Sequence, residues 1–197
     1  HKKVVKITNQ DFEAKMRELR VNSDIAVAVS GGPDSLALMH LSNRYALNNN
    51  INLTVLSIDH GIRAESSKEI VWLEKIAKKN KINFYSTKLK KKINSSNTLS
   101  KARTLRYEAL SKYCNKKKIK FLLTAHHLDD EIENFLMRLI RGSGVKGLSS
   151  LKVKSRYKNT KLILVRPLLE YSKKSLVAYL SCLLYTSPSQ RDAESSR

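Results

Sequence analysis

The sequence predicts an α/β fold, a mostly parallel five-stranded sheet with helices on both faces. Short apolar runs that suit buried strands alternate with longer segments whose apolar residues recur at helical spacing. Strands are expected at 25–29, 51–58, 82–87, 119–124 and 162–165. Because helices join them one by one, the strands should run parallel. Their carboxyl ends should then meet at one edge of the sheet, where α/β proteins place their sites.

The first helix shows the pattern on which the other helices are predicted. Phe12, Met16 and Leu19 are spaced i, i+4 and i+7, which gives residues 9–19 one apolar face toward the sheet. Further helices are expected at about 36–47, 64–80, 99–117 and 172–180, with another directly after the fourth strand.

Length and composition fit one globular domain. The chain has 197 residues, of which 41% are hydrophobic and 28% are charged. We assign residues 1–180 to the catalytic domain argued for below. Residues 181–197 lose both the Lys/Asn bias and the periodicity, so we expect foreign sequence or a disordered natural tail there.

The chain is strongly basic. Its 38 Lys and Arg residues against 17 Asp and Glu residues give a net charge of +21, which favours a polyanionic partner, with nucleic acid as the first candidate. A generally Lys-rich background is the alternative, since Lys and Asn are abundant throughout. The segment Lys152–Lys161, which is basic, hairpin-like and contains Tyr157, is a candidate RNA contact.

Cysteine usage and hydropathy bear on location. Cys114 and Cys182 form no C-x-x-C pair, which argues against a zinc finger or a disulfide scaffold and suits a reducing compartment. No apolar run approaches the ~18 residues of a membrane span, and the basic start at residues 1–3 lacks the apolar core of an export signal. We therefore expect a cytoplasmic protein with no membrane partner.

A glycine-rich loop joins the first strand to the next helix. It consists of Ser30, Gly31, Gly32, Pro33, Asp34 and Ser35. Glycines let the backbone approach an anion, and free N–H groups at a helix N-terminus point at that anion with the helix dipole behind them. The loop therefore predicts a phosphate site, although neither G-x-x-x-x-G-K-S/T nor G-x-G-x-x-G is present. An ordinary Gly-Gly turn is the alternative.

A dense polar cluster follows the fourth strand. It contains two histidines and four carboxylates, His126, His127, Asp129, Asp130, Glu131 and Glu133. Asp130 and Glu133 are spaced i, i+3 on one helix face, and such oxygens suit Mg²⁺ that phosphates already bridge. Zinc is disfavoured because H-E-x-x-H is absent and no cysteine is nearby. An acidic helix N-terminus is the alternative, although it would not require the two histidines.

Two further pairs of residues complete the candidate site. Asp59, followed by His60, ends the second strand, where nucleotide-binding sheets contact a ribose or base; capping of the next helix is the alternative. Arg103 and Arg106 share one face of a predicted helix. Two guanidinium groups can hold phosphates bidentately, or they can simply lie at a wet surface. The loop, Asp59 and the polar cluster should converge on one sheet edge.

These motifs resemble the N-type ATP pyrophosphatases, whose pyrophosphate loop reads SGGxDS, and within that superfamily the tRNA(Ile)-lysidine synthetases. The resemblance is carried by residues 30–35, 59–66, 102–107, 124–133, 141–149 and 166–168. His-Leu-Asp-Asp-x-x-Glu with Arg-Gly-Ser-Gly is its more specific part, and Asn134 departs from it where threonine is usual. The resemblance implies a Rossmann-like sheet of the adenine nucleotide alpha hydrolase type.

The resemblance also implies an ATP-dependent ligase. Such enzymes join L-lysine to the first-anticodon cytidine of isoleucine tRNA with a CAU anticodon, through an adenylated cytidine and with release of AMP and pyrophosphate. By position, Ser30–Ser35 would hold the pyrophosphate. Asp34, Asp130 and Glu133 would hold Mg²⁺ or orient the lysine amine, with Asp34 and Asp130 as the metal ligands. Arg103 or Arg106 would face phosphate or the activated base.

Two other functions stay open at this point. The first is another enzyme with the same loop, such as a tRNA thiolase. Thiolases of this kind generally carry paired cysteines, which Cys114 and Cys182 do not provide. An RNA-binding module with a vestigial nucleotide site is the other, and it would not need Asp34, Asp130 and Glu133 together. Family members usually continue into tRNA-binding domains, so we interpret this chain as the catalytic domain alone, either monomeric or a homodimer.

Overall fold

A computed structural model describes residues 6–59, 66–88, 98–140 and 151–186. Its strands are β1 Ile25–Ala28, β2 Leu53–Asp59, β3 Asn83–Lys88, β4 Phe121–Leu123, β5 Lys154–Arg156 and β6 Ile163–Val165. Its helices are α1 Asn9–Glu18, α2 Pro33–Asn49, α3 Ser66–Lys79, α4 Thr98–Lys116, α5 Leu128–Ile140 and α6 Lys173–Thr186. The strands form one sheet in the order β3-β2-β1-β4-β6-β5.

The predicted α/β class is confirmed, and the five predicted strands pair in parallel. The predicted number of strands was wrong, because β5 adds a sixth strand antiparallel to β6. It lies within the basic segment that was expected to be hairpin-like. A three-residue polar strand at the sheet edge carries no apolar run, so periodicity does not reveal it.

The carboxyl-terminal end of helix α6 bears on the predicted division of the chain. Helix α6 was expected to end at Leu180, whereas it continues to Thr186. Residues 181–186 of the segment that was set apart are therefore helical. Residues 187–197 lie outside the described residues, so the proposed domain boundary stays a prediction. Within the described parts of the chain, no helix is both long and apolar enough to cross a bilayer.

The core lies on both faces of the sheet because successive strand residues point to opposite sides. Ile25 and Val27 belong to one buried cluster, together with apolar residues of α1, α2, α3 and α6. Ala26, between them in β1, belongs to a second cluster formed with α4. Parallel strands buried on both faces read as continuous apolar runs, which is why β1, β2 and β4 were predictable.

The chain crosses the sheet in a way that creates a cleft at the carboxyl ends of its central strands. From β1 the chain moves outward through α2 and α3 to the edge strand β3. It then returns over the opposite face through α4 to β4, on the other side of β1. Strand order reverses between β1 and β4, and ligands bind at such switch points in open α/β sheets.

The packing of α2 can be tested with two leucines of the same helix. Leu38 is fully buried, whereas Leu47 is 68% exposed. We expect Leu38→Ala to lower the free energy of unfolding by about 2–5 kcal/mol, since it leaves a cavity. Leu47→Ala should lower it by less than about 0.5 kcal/mol. Urea unfolding measures both, and similar losses in the two variants would contradict this packing.

Candidate active site

The loop between β1 and α2 is built to leave backbone N–H groups available. Gly31 has φ of +89°, a left-handed conformation that favours glycine. The Ser35 hydroxyl donates to the Gly32 carbonyl at 2.8 Å and accepts from the Ser30 N–H at 3.2 Å, which closes the loop. Gly32 caps α2 without a side-chain hydrogen bond. The N-terminus of α2 therefore faces the cleft without a side-chain cap, as an anion site requires.

A cavity of about 290 Å³ opens beside this loop at the carboxyl ends of the central strands. Three groups of residues line it. They are Ala28, Val29, Ser30, Gly32, Asp34 and Ser35 from β1 and its loop, Leu56, Ile58, Thr124, Ala125, His126 and Asp130 from β2, β4 and the start of α5, and Arg106, Tyr107 and Leu110 from α4. The predicted convergence of the loop with the polar cluster is thus present in the structure.

His127 connects the loop to the acidic start of α5. The ring Nδ1 of His127 accepts from the backbone N–H of Asp130 at 3.4 Å, and the backbone N–H of His127 donates to Asp130 Oδ2 at 3.0 Å. With Nδ1 accepting, the ring proton lies on Nε2, which is 3.4 Å from Asp34 Oδ2. His127 is buried, so this bridge holds the two carboxylates in a fixed relation.

The other oxygen of Asp34 is available for a cation. Asp34 Oδ1 is buried and has no hydrogen-bond partner among the described residues, which is costly for a carboxylate unless a ligand satisfies it. No group of three His, Cys, Asp or Glu side chains among the described residues is arranged to hold a metal. A nucleotide-bound Mg²⁺ needs only one or two protein carboxylates, so Asp34 and Asp130 fit it.

His126 and the arginines near it form the opposite wall. Arg103 Nη2 lies 3.4 Å from His126 Nε2, and since arginine only donates, Nε2 is the acceptor. The proton is then on Nδ1, which donates to Thr124 Oγ1 at 2.9 Å. Burial, reinforced by the charges of Arg103 and Arg166, lowers the pKa of His126 to about 4. The imidazole is therefore neutral at neutral pH.

The two predicted arginines occupy different places. Arg106 lines the cavity, whereas Arg103 contacts His126. Both guanidinium groups lie within 6 Å of the Tyr107 ring centre, at 5.9 Å for Arg103 and 5.7 Å for Arg106. Of the two, Arg106 is the one placed to meet a ligand in the cavity, and Arg103 supports it through the shared aromatic ring.

Arg166, the charged residue that directly follows β6, had no predicted role. It is 7% exposed, and its Nη1 donates to the Lys152 carbonyl at 2.7 Å and to Ser155 Oγ at 3.1 Å. Burial lowers its pKa. A charged residue directly after an apolar strand was the available signal. His126 and His127 were noticed in the sequence, but neither was assigned a role.

Two predicted site residues lie outside the cavity wall, and a third lies outside the described residues. Asp59 is buried at the end of β2, where its carboxylate lies 3.6 Å from Lys88 Nζ, and it does not line the cavity. Glu133 is exposed on α5, one turn beyond Asp130, and is likewise outside the cavity wall. His60 lies outside the described residues, as do residues 89–97 and 141–150.

The sequence model of the PP-loop domain matches residues 4–186, and the chain belongs to that family. Within the family it is similar to tRNA(Ile)-lysidine synthases. That of Rickettsia bellii is 48% identical over 159 residues, which are 81% of this chain and 36% of the relative. That of Rickettsia typhi is 41% identical over 174 residues, which are 87% of this chain and 40% of the relative. The chain thus spans 36–40% of the length of these relatives.

A solved structure supports the fold at lower identity. The U34-tRNA thiolase of Methanococcus maripaludis, which carries an iron–sulfur cluster, superposes with a TM-score of 0.74 at 23% identity. The match covers 91% of this chain and 65% of the thiolase. At this identity the likeness shows the fold alone.

The neutral state of His126 gives a pH-dependent stability. In the unfolded chain His126 gains a proton near its ordinary pKa of 6.5, whereas in the folded protein it does so only near pH 4. The contribution of neutral His126 to the free energy of unfolding is therefore complete above about pH 6.5 and is lost as the pH falls toward 4. Between pH 7 and pH 5 the wild-type chain should lose about 2 kcal/mol more free energy of unfolding than His126→Gln, which keeps an acceptor for Arg103.

Urea unfolding of both proteins at the two pH values measures this difference. His126→Gln is the matched control, because every other titrating group is common to the two chains. Equal losses in the two proteins would show that His126 is not held neutral.

Proposed function

We propose that this chain is the catalytic domain of an enzyme that joins L-lysine to the first-anticodon cytidine of isoleucine tRNA with a CAU anticodon. One observation carries the proposal: the cavity brings together a glycine loop with an uncapped helix N-terminus, an arginine, and a carboxylate whose buried oxygen has no hydrogen-bond partner in the described parts of the chain. The similarity to tRNA(Ile)-lysidine synthases over 81% of the chain supports the choice of substrates.

The first step is adenylation of the cytidine. Its carbonyl oxygen attacks the α-phosphorus of ATP and pyrophosphate leaves, so negative charge has to be stabilised on the leaving group. The Ser30–Ser35 loop and the N-terminus of α2 supply backbone donors for it. Mg²⁺ held by Asp34 and Asp130 would neutralise phosphate charge when bound. Arg106, on the facing wall, would contact a phosphate or the activated base.

The second step is displacement of AMP by the ε-amine of lysine. The amine must be bound as a cation, lose its proton and then attack the activated carbon. The bond from this carbon to the former carbonyl oxygen breaks, and AMP leaves with that oxygen. Carboxylates at the start of α5 suit both tasks, since they attract an ammonium group and accept a proton. We assign this role to Asp130 and, at the exposed rim, to Glu133.

The supply of substrates places the enzyme in the cytoplasm, where ATP, lysine and tRNA meet. The net charge of +21 suits a tRNA substrate. Asp59, the last residue of β2, and His60, the next residue in the sequence, remain candidates for contacts to the ribose or base of ATP, and a homodimer remains a proposal.

A thiolase is the second candidate, because the solved thiolase shares the fold. The cysteines of this chain argue for the ligase instead. Cys114 is completely buried against the sheet, and burial raises the pKa of its thiol to about 12, so it is inert as a nucleophile. Cys182 is exposed on α6, which packs with α2 on the opposite face of the sheet from α4.

Transfer of radiolabelled lysine onto isoleucine tRNA with a CAU anticodon, in the presence of ATP, tests the proposal. Methionine tRNA, which shares that anticodon, is the control. Label in isoleucine tRNA alone is the expected result. Incorporation into both tRNAs, or incorporation of sulfur in place of lysine, would contradict it.

The assignment of Asp130 can be tested on one helix. We expect Asp130→Asn to lower the rate of lysine transfer about 10²- to 10⁴-fold, since it removes a charge that binds the amine and accepts its proton. Glu131→Gln, one residue further along α5 and outside the cavity wall, is the matched control and should stay within about twofold. Equal effects of the two substitutions would rule out a special role for Asp130.

A further inference from the structure

A second groove lies on the α4 face of the sheet, away from the loop that binds phosphate. It has a volume of about 510 Å³ and is lined by residues of β3, by the carboxyl-terminal part of α4 and by Lys117, which directly follows α4. These residues are Tyr85, Thr87, Ala109, Lys112, Tyr113, Lys116 and Lys117, and we call them the α4–β3 groove. None of them belongs to the cavity wall described above.

The groove carries uncompensated positive charge. Lys112, Lys116 and Lys117 are all exposed, and no Asp or Glu lines the groove with them. None of the three forms an ion pair with a carboxylate in the described parts of the chain, unlike Lys15 and Lys158. Three cations on a little more than one helical turn favour a partner with closely spaced negative charges.

The groove also presents an aromatic surface. The rings of Tyr85 and Tyr113 are stacked, with centres 4.1 Å apart and planes at 29°. Tyr85 is 40% exposed, so part of its ring is accessible to a ligand. It is paired in register with Leu56, whose side chain belongs to the core under α4, so Tyr85 points to the same side of the sheet. Since β3 is the edge strand, its face is only partly covered there.

Helix α4 joins this groove to the cavity. Arg106 and Leu110 line the cavity, and the groove begins on the same helix at Ala109 and extends to Lys117. The rise of 1.5 Å per residue places Lys116 about 15 Å from Arg106 along the helix axis. A strand of a few nucleotides can span this distance, so one RNA segment can occupy both places.

We propose that the α4–β3 groove binds single-stranded RNA that continues from the nucleotide held in the cavity. The lysines bind its phosphates, and the exposed ring of Tyr85, stiffened by Tyr113 behind it, stacks on a base. Lysines that follow a backbone and aromatic rings that accept bases of any sequence are the two features of single-strand binding. This inference depends on the proposed function in one respect only: the RNA is taken to be the substrate tRNA.

The charge of the groove is tested with a triple variant, Lys112→Gln, Lys116→Gln and Lys117→Gln. We expect its affinity for isoleucine tRNA to fall about 10- to 100-fold at ~0.1 M salt, and the slope of log affinity against log salt to become shallower by about 2. The matched control is Lys68→Gln, Lys75→Gln and Lys78→Gln on α3, which lies on the opposite face of the sheet. It should change neither value appreciably.

The aromatic contribution is tested separately. Tyr85→Ala should weaken binding of the tRNA about 5- to 100-fold without changing the salt slope, because stacking is lost and no charge is removed. Tyr85→Phe keeps the ring and should bind like the wild type. ATP binding by each variant, measured without RNA, should be unchanged and confirms that the cavity is intact.

The outcomes separate this proposal from the proposed function. Unchanged affinity and salt slope in the triple variant would overturn the groove as an RNA surface, whatever the result of lysine transfer. Equal losses in the α3 control would also overturn it, since the charge effect would then be general. Weakened binding confined to the groove variants supports it even if another modification is found on the tRNA.

Discussion

The structure depends on one geometric constraint, the reversal of the chain between β1 and α2. The left-handed Gly31 and the Ser35 hydroxyl close the turn, so α2 begins directly at the end of a central buried strand. Its uncapped N-terminus then points into the crevice where strand order reverses. A side chain at Gly31 would strain this turn, and the phosphate site would lose its backbone donors.

Electrostatic balance in the crevice follows from that placement. On one side, His127 holds Asp34 next to the start of α5 and leaves one oxygen of Asp34 without a partner. On the other side, arginines surround His126, and its neutral ring accepts from Arg103. Two histidines adjacent in sequence thus serve opposite walls, one beside carboxylates and one beside guanidinium groups. A site arranged in this way can accept phosphate and an amine at the same time.

Much of this arrangement was predictable from the sequence, because buried parallel strands and a glycine loop leave clear patterns. The strand β5 was not predictable, since its three polar residues depend on pairing with β6 for their conformation. The different positions of Arg103 and Arg106 were not predictable either, because both lie on one helix face and only tertiary contacts distinguish them. Arg166 was overlooked for the same reason, because its hydrogen bonds to the Lys152 carbonyl and to Ser155 in β5 exist only in the folded sheet.

We propose that this domain cleaves ATP between its α- and β-phosphates to activate a cytidine. Exchange of radiolabelled pyrophosphate into ATP, with isoleucine tRNA present and lysine omitted, measures this step by itself. We expect exchange that requires the tRNA and is lost when the target cytidine is replaced by uridine. Exchange that proceeds with lysine alone, or release of ADP and phosphate in place of exchange, would contradict it.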